Sequence, residues 1–228
     1  TQDDSSTFAG ESFMAATGGA VTESGDFKIH TFTGPGTFAV SSISTVAANN
    51  EVSYIVVAGG GAGQTKNSRN SSGARYAMPG GGAGGFRERK SGVDTYTASP
   101  LNGATPITAT VASFPITVGG GGSAPSIPST DEFSGSGSPS SFAASTTITS
   151  AGGGGAGYSS CSGPASAAGV AGGSGGGASS YNGVGAGNTP PTSPAQGFPG
   201  SQANDSADTS GGAGGGATVA GGTVTATP

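Results

Sequence analysis

Apolar positions in this chain come in short runs, each set off by glycine or proline. Phe27-Lys28-Ile29-His30-Thr31-Phe32 is rich in β-formers and partly alternating, and Gly34-Pro35-Gly36 punctuates it before a second run at 37–40. Residues 52–58 (VSYIVVA) are almost continuously apolar, the pattern of a strand buried on both faces. Residues 104–118 hold two short strand candidates broken near Pro115, and 146–150 and 223–227 are weaker ones. Polar stretches separate these runs: 64–79, 123–140, 158–171 and 181–210. The last contains Asn188-Thr189-Pro190-Pro191-Thr192-Ser193-Pro194, too rich in proline for regular hydrogen-bonded structure.

The remaining segments are blocks of glycine, opening at Gly59, Gly80, Gly119, Gly152, Gly172 and Gly211. Their spacing is too irregular for a solenoid of identical repeats, and glycine does not recur strictly at every third position as collagen requires. Strands run straight into them: Val56-Val57-Ala58 into the first, Ile116-Thr117-Val118 into the third, Ile148-Thr149-Ser150-Ala151 into the fourth. A flexible linker would show no such phasing. An extended threefold helix would order these blocks, rising about 3.1 Å per residue without internal hydrogen bonds. Its N–H and C=O groups must then pair with neighbouring chains, which glycine allows to come close. Ala62, Ala83, Ala156 and Ala213 are expected where such a slab meets solvent or the β part.

Composition supports a backbone-held fold. Of 228 residues 48 are Gly and 14 Pro, with one Leu (Leu101), no Trp and 8 % charged residues. Strong helix formers are scarce, which excludes a helical protein. A net charge of −5 with scattered cations argues against nucleic-acid binding. No apolar run is long enough for a spanning helix, so membrane insertion is not expected. The single Cys161 allows no intramolecular disulfide.

The order of motifs resembles a glycine-rich domain common in phage tail-fibre and other virion proteins. Residues 25–38 (GDFKIHTFTGPGTF) look like that domain's opening. Tyr54-Ile55-Val56-Val57-Ala58-Gly59-Gly60-Gly61 resembles its strand-then-glycine signature, and Phe114-Pro115-Ile116-Thr117-Val118-Gly119 its second. Gly137-Ser138-Pro139-Ser140-Ser141-Phe142 with Thr147-Ile148-Thr149-Ser150-Ala151-Gly152 resembles its third. A more distant similarity is to the extracellular glycine-rich domain of anaplastic lymphoma kinase. These resemblances imply a mainly β fold, a jelly-roll-like β-sandwich with a bundle of polyglycine II helices and essentially no α-helix. Residues 1–17 would be a linker or attachment segment and 18–228 the glycine-rich domain. The final strand, 223–227, is feeble for closing a sandwich.

Candidate chemistry is sparse. Gly172-Gly173-Ser174-Gly175-Gly176 fits the G-x-S-x-G pattern of a nucleophile elbow but lacks the strand and helix it needs. Gly80-x-Gly82-x-x-Gly85 likewise lacks a βαβ context. His30, the only histidine, has no second ligand at metal spacing and is expected to pack or hydrogen-bond within a sheet. Arg87-Glu88-Arg89-Lys90 is expected at a solvated strand edge, where charge discourages aggregation. Asn70-Ser71-Ser72 and Asn204-Asp205-Ser206 match the glycosylation pattern, which chance accounts for here. Tyr76, Tyr158, Tyr181 and Phe198 lie on polar loops. Such aromatics either form recognition surfaces or shield the edge of the slab.

No catalytic residue, cofactor or metal is expected. The leading expectation is a non-enzymatic virion structural protein exposed on the particle surface, a tail-fibre or fibre-tip component in host attachment. A capsid decoration or head-fibre protein, and an extracellular matrix or filament protein, remain as alternatives. The resemblance implies a homo-oligomer, a trimer as in related fibres, with 27–32, 52–57 and 104–118 near the shared contacts. Further partners would be other virion proteins and a host surface glycan or outer-membrane protein. Loops 64–79 and 181–210 are expected to face outward.

Overall fold

The computed structural model describes residues 13–25, 27–65, 78–125, 134–159, 166–179, 183–203 and 210–222. The strands in chain order are β1 (Ala15–Thr17), β2 (Ala20–Ser24), β3 (Phe27–Thr31), β4 (Gly36–Ser42), β5 (Tyr54–Val57), β6 (Phe86–Arg89), β7 (Ala112–Thr117), β8 (Ser140–Ala143), β9 (Thr147–Ser150), β10 (Tyr158–Ser159) and β11 (Ser166–Ala167). The described helical structure is one short 3-10 turn, Ala47–Asn50, and no described helix is long and apolar enough to cross a membrane. The described residues are mainly β, as the resemblance implied.

The largest sheet is antiparallel, in the order β1-β4-β7-β8-β9. Alternation in β4 sends Phe38 and Val40 to one face, and the register Phe38↔Phe114 and Ile116↔Phe142↔Ile148 aligns the apolar side chains across four strands. Tyr54 and Val56 of β5, with Ala104, Ile107 and Ala109, pack onto that face and complete the core. Four aromatic rings lie at its centre. Phe142 meets Phe38, Phe114 and Tyr54 edge-on, with centroids 5.9–6.1 Å apart, an arrangement that sets ring edges against π-faces. The opposite face of the sheet carries Thr37, Ser41, Ser113, Pro115, Thr117 and Thr149, all exposed. Residues 15–17, within the stretch 1–17 expected to be a linker or attachment segment, form the strand β1 paired with β4.

Four expectations need correction. β5 is not buried on both faces: Tyr54 and Val56 face the core while Ile55 and Val57 are 57 % and 52 % exposed, since β5–β6 is a two-stranded sheet with other structure on one side only. Pro115 does not break a strand. It sits inside β7 opposite Thr37, one residue before the ladder to β8 begins, where a missing N–H is tolerated. The charge run is no solvated edge. Arg87 and Glu88 are buried because 102–104 runs alongside β6, with Gly103 and Ala104 donating to the Glu88 carbonyl. Ala156, expected at a boundary, is wholly buried and donates to the Ala62 carbonyl; Ala83 and Ala213 are exposed as expected.

The glycine blocks form no strands, yet many of their backbone N–H groups are paired. The N–H groups of Ala58, Gly61 and Gln64 donate to the carbonyls of Gly85, Gly82 and Pro79. Those of Gly59 and Ala62 go instead to Ser138 and Gly135. In the fourth block Gly153 and Ala156 donate to Gly59 and Ala62, while Gly154 and Gly157 donate to Ser174 and Gly177. Residues three apart therefore address the same neighbour, and residues one apart address different ones. A β-strand, with its period of two, cannot do this.

Why these positions are glycine follows from distance. A Cβ on Gly59 would lie 2.0 Å from the Gly120 carbonyl oxygen, on Gly154 1.8 Å from that of Val170, and on Gly214 1.9 Å from that of Gly81. Left-handed φ is not the cause, because the described glycines with positive φ are Gly18, Gly19, Gly25 and Gly103, all outside the blocks.

Candidate functional site

Two regions combine polar chemistry with defined geometry. The first surrounds β6. Arg89 reaches Glu51 through Nε and Nη2, at 2.8 and 2.7 Å from the same carboxylate oxygen. Glu88 accepts from the backbone N–H of Ser99 at 2.9 Å and from the Ser99 hydroxyl. The Ser53 hydroxyl donates to Asp94 and accepts from the Ser91 N–H at 2.7 Å. Lys90 sits 5.5 Å over the Tyr96 ring, a cation–π contact. Burial pushes the Tyr96 phenol above its ordinary pKa. It does the same to Tyr54, against the pull of Arg87 and Arg89. The Tyr54 hydroxyl, donating to the Thr105 carbonyl at 2.6 Å, is thereby kept protonated and in place. Arg89 pairs with Glu51, while Glu88 and Asp94 are held by Ser99 and Ser53, so the cluster ties 51–53 and 91–104 to β6. Beside it Phe86, Ser99, Leu101, Ala217 and Thr218 line a shallow apolar hollow of about 140 Å³.

The second region is the proline-rich stretch. The Asn188 Oδ1 accepts from the Thr192 N–H, the Thr192 hydroxyl and the Gln196 N–H. Asn188 itself has φ +51°, a conformation asparagine tolerates better than most residues. Gln196 is 1 % exposed; its Oε1 accepts from the Ala151 N–H at 2.8 Å and its Nε2 donates to the Pro190 carbonyl at 2.7 Å. Segment 196–203 is turned largely inward, with Pro199 and Gln202 exposed. Gln196, Gly197, Gly200 and Ser201 are buried because the N–H of Gly175 donates to Phe198 and that of Gly200 to Gly185. Sequence reading missed Asn188 and Gln196. Asn at the head of a Pro-rich run was the available signal for the first, while the second is visible only in three dimensions.

The sequence-derived candidates are placed as follows. Tyr158 is half-buried in β10, opposite Ala167. Phe198 is half-buried, and its backbone threads between glycines: its N–H donates to Gly216 and its carbonyl accepts from Gly175. The two stand on separate segments. Tyr76 and Tyr181, like Cys161, both glycosylation matches and 223–227, lie outside the described residues. His30 Nδ1 lies 2.8 Å from the Gly18 carbonyl, and the ring meets Phe38 edge-on. Ser174 is fully buried and donates to the Gly216 carbonyl. The block openings Gly59 and Gly172 are buried; Gly80, Gly119, Gly152 and Gly211 are half-buried. Five of the six would put a Cβ within 2.5 Å of another backbone, and Gly80 within 3.1 Å.

Among comparisons with known proteins, a family model described as a glycine-rich domain matches residues 31–227. No curated protein and no solved structure matches the chain.

Proposed function

Since the chain belongs to the glycine-rich domain family, we propose that it is a non-enzymatic phage virion structural protein, a tail-fibre or fibre-tip component in host-cell attachment. In this reading the glycine blocks form a bundle of polyglycine II helices beside a jelly-roll-like β part. The observation that carries it is the three-residue period of the N–H donors in 58–64 and 152–157, which matches a threefold extended helix. Such a slab is rigid without a large hydrophobic core. That suits a particle component which must hold loops at a distance from its anchor. Tyr76, Tyr158, Tyr181 and Phe198 are the residues proposed to lie near the receptor-reading loops, aromatics being rigid contact groups with little entropy to lose.

The proposed partners are further copies of the chain as a trimer, other virion proteins, and a host surface glycan or outer-membrane protein. Gold-labelled antibody against the chain, applied to intact particles, tests this reading. Label at fibre tips, together with saturable blocking of adsorption by the purified chain, supports it. Label on the capsid shell without blocking favours decoration, and particles without label refute the virion reading.

A further inference from the structure

The hairpin β2–β3 is the least supported element of the fold. All five residues of β2 are exposed, as are Lys28 and Ile29 of β3. Val21 and Ile29 are apolar and 48 % and 45 % exposed. The two strands pair only with each other, and no backbone hydrogen bond joins them to other described residues. Their described anchor is His30, which touches Phe38 and the Gly18 carbonyl. A lone two-stranded hairpin is at best marginally stable in water, and two open edges are a template for pairing with another chain. The hairpin therefore stands as an arm beside the five-stranded sheet.

We propose that this arm is the interface between copies of the chain, with the open edge of β2 pairing antiparallel with the open edge of β3 of the next copy. The proposal deepens the homo-oligomer reading above and rests on it. Charge selects this arrangement. Within the hairpin Glu23 stands opposite Lys28, Thr22 opposite Ile29 and Val21 opposite His30, with Lys28 Nζ 3.9 Å from Glu23. Repeating that register between copies puts each Glu23 between two lysines, in one alternating row across the joined sheet. The opposite face would carry a matching row of Thr22 and Ile29. Two-fold pairing has no such match in any register: β3 holds no acid to face Lys28, and β2 holds no base to face Glu23. The contact is head-to-tail, so it builds a ring of three or more copies where the rotation closes and an open filament where it does not.

The test uses the full chain and three variants, Lys28→Glu, Glu23→Lys and the double exchange, read by sedimentation and native mass spectrometry. Wild type should run at three or more chain masses. Each single reversal should raise the dissociation constant about tenfold per junction, from attraction to repulsion between facing residues. The double exchange should restore assembly with itself, yet fail to mix with wild type, because Glu23 would then face Glu. The intrachain pair is intact in both parents, so this segregation reports the intermolecular contact. A monomeric wild type refutes both this interface and the oligomer reading. A dimer refutes the head-to-tail register. An oligomer indifferent to both reversals, or free mixing of exchanged and wild-type chains, refutes the arm as interface and leaves the oligomer reading standing.

Discussion

Gly154→Ala is the sharpest probe of what holds this fold together. The added methyl would lie 1.8 Å from the Val170 carbonyl oxygen, against the roughly 3.3 Å at which carbon and oxygen normally touch. One of the two segments must move by about 1.5 Å on that contact distance. Four hydrogen bonds converge there: Gly154 to Ser174 at 2.9 Å, Gly82 to Gly154 at 2.8 Å, Val170 to Gly155 at 3.0 Å and Gly176 to Val170 at 2.9 Å. A shift of that size breaks two of them, and each group left buried without a partner costs about 1–3 kcal/mol. Counting one such group per broken bond, the expected loss is about 2–6 kcal/mol, a large share of the about 5–15 kcal/mol typical of a folded domain. Gly120→Ala is the control, since a Cβ at Gly120 meets nothing within 4 Å. It should leave stability within about 1 kcal/mol of wild type, with a small gain from a stiffer unfolded chain. Urea titration followed by circular dichroism reads both. Equal, small effects at the two positions would refute a backbone lattice that admits no side chain.

Amide exchange should find Gly61, Gly82, Gly153 and Gly154 protected to the same degree as Val56, because their N–H groups are bonded within the lattice; random-coil exchange there would contradict the pairing. Gln196→Ala leaves the Ala151 N–H and the Pro190 carbonyl without their side-chain partner and should cost about 2–4 kcal/mol in thermal or urea unfolding; a loss under about 0.5 kcal/mol would show that water replaces it. Phe142→Ala, which removes the ring touching three other aromatics, should cost about 3–5 kcal/mol by the same titration. Burial raises the Tyr54 pKa above its ordinary 10.0, so its contribution to stability is complete below pH 10 and is lost as pH rises through the folded-state value. Tyr54→Phe should flatten that alkaline decline; an unchanged decline would place its origin elsewhere.

Much of the β part was legible in the sequence because side-chain alternation reports burial directly. Phe38 and Val40, and Phe114 and Ile116, lie two apart in segments read as strands, and that period fixes which face is covered. The ordering of the glycine blocks was also legible, from the way strands run into them. The candidate site was far less so, since loop aromatics announce their chemistry but not their surroundings.

Tertiary structure decided what lies beside each segment. The apolar run 52–58 says that a strand is there, but the open outer face of Ile55 and Val57 depends on what packs against the β5–β6 sheet. The charged run 87–90 signals solvent by composition, yet Glu88 is buried because 99–104 supplies its hydrogen bonds. Within the blocks, one-letter identity cannot distinguish Gly154, which admits no methyl, from Gly120, which faces open space. A glycine carries no side chain to encode its neighbour. Composition therefore determined that the glycine blocks would be held by backbone pairing, and only the three-dimensional arrangement decided which N–H meets which carbonyl.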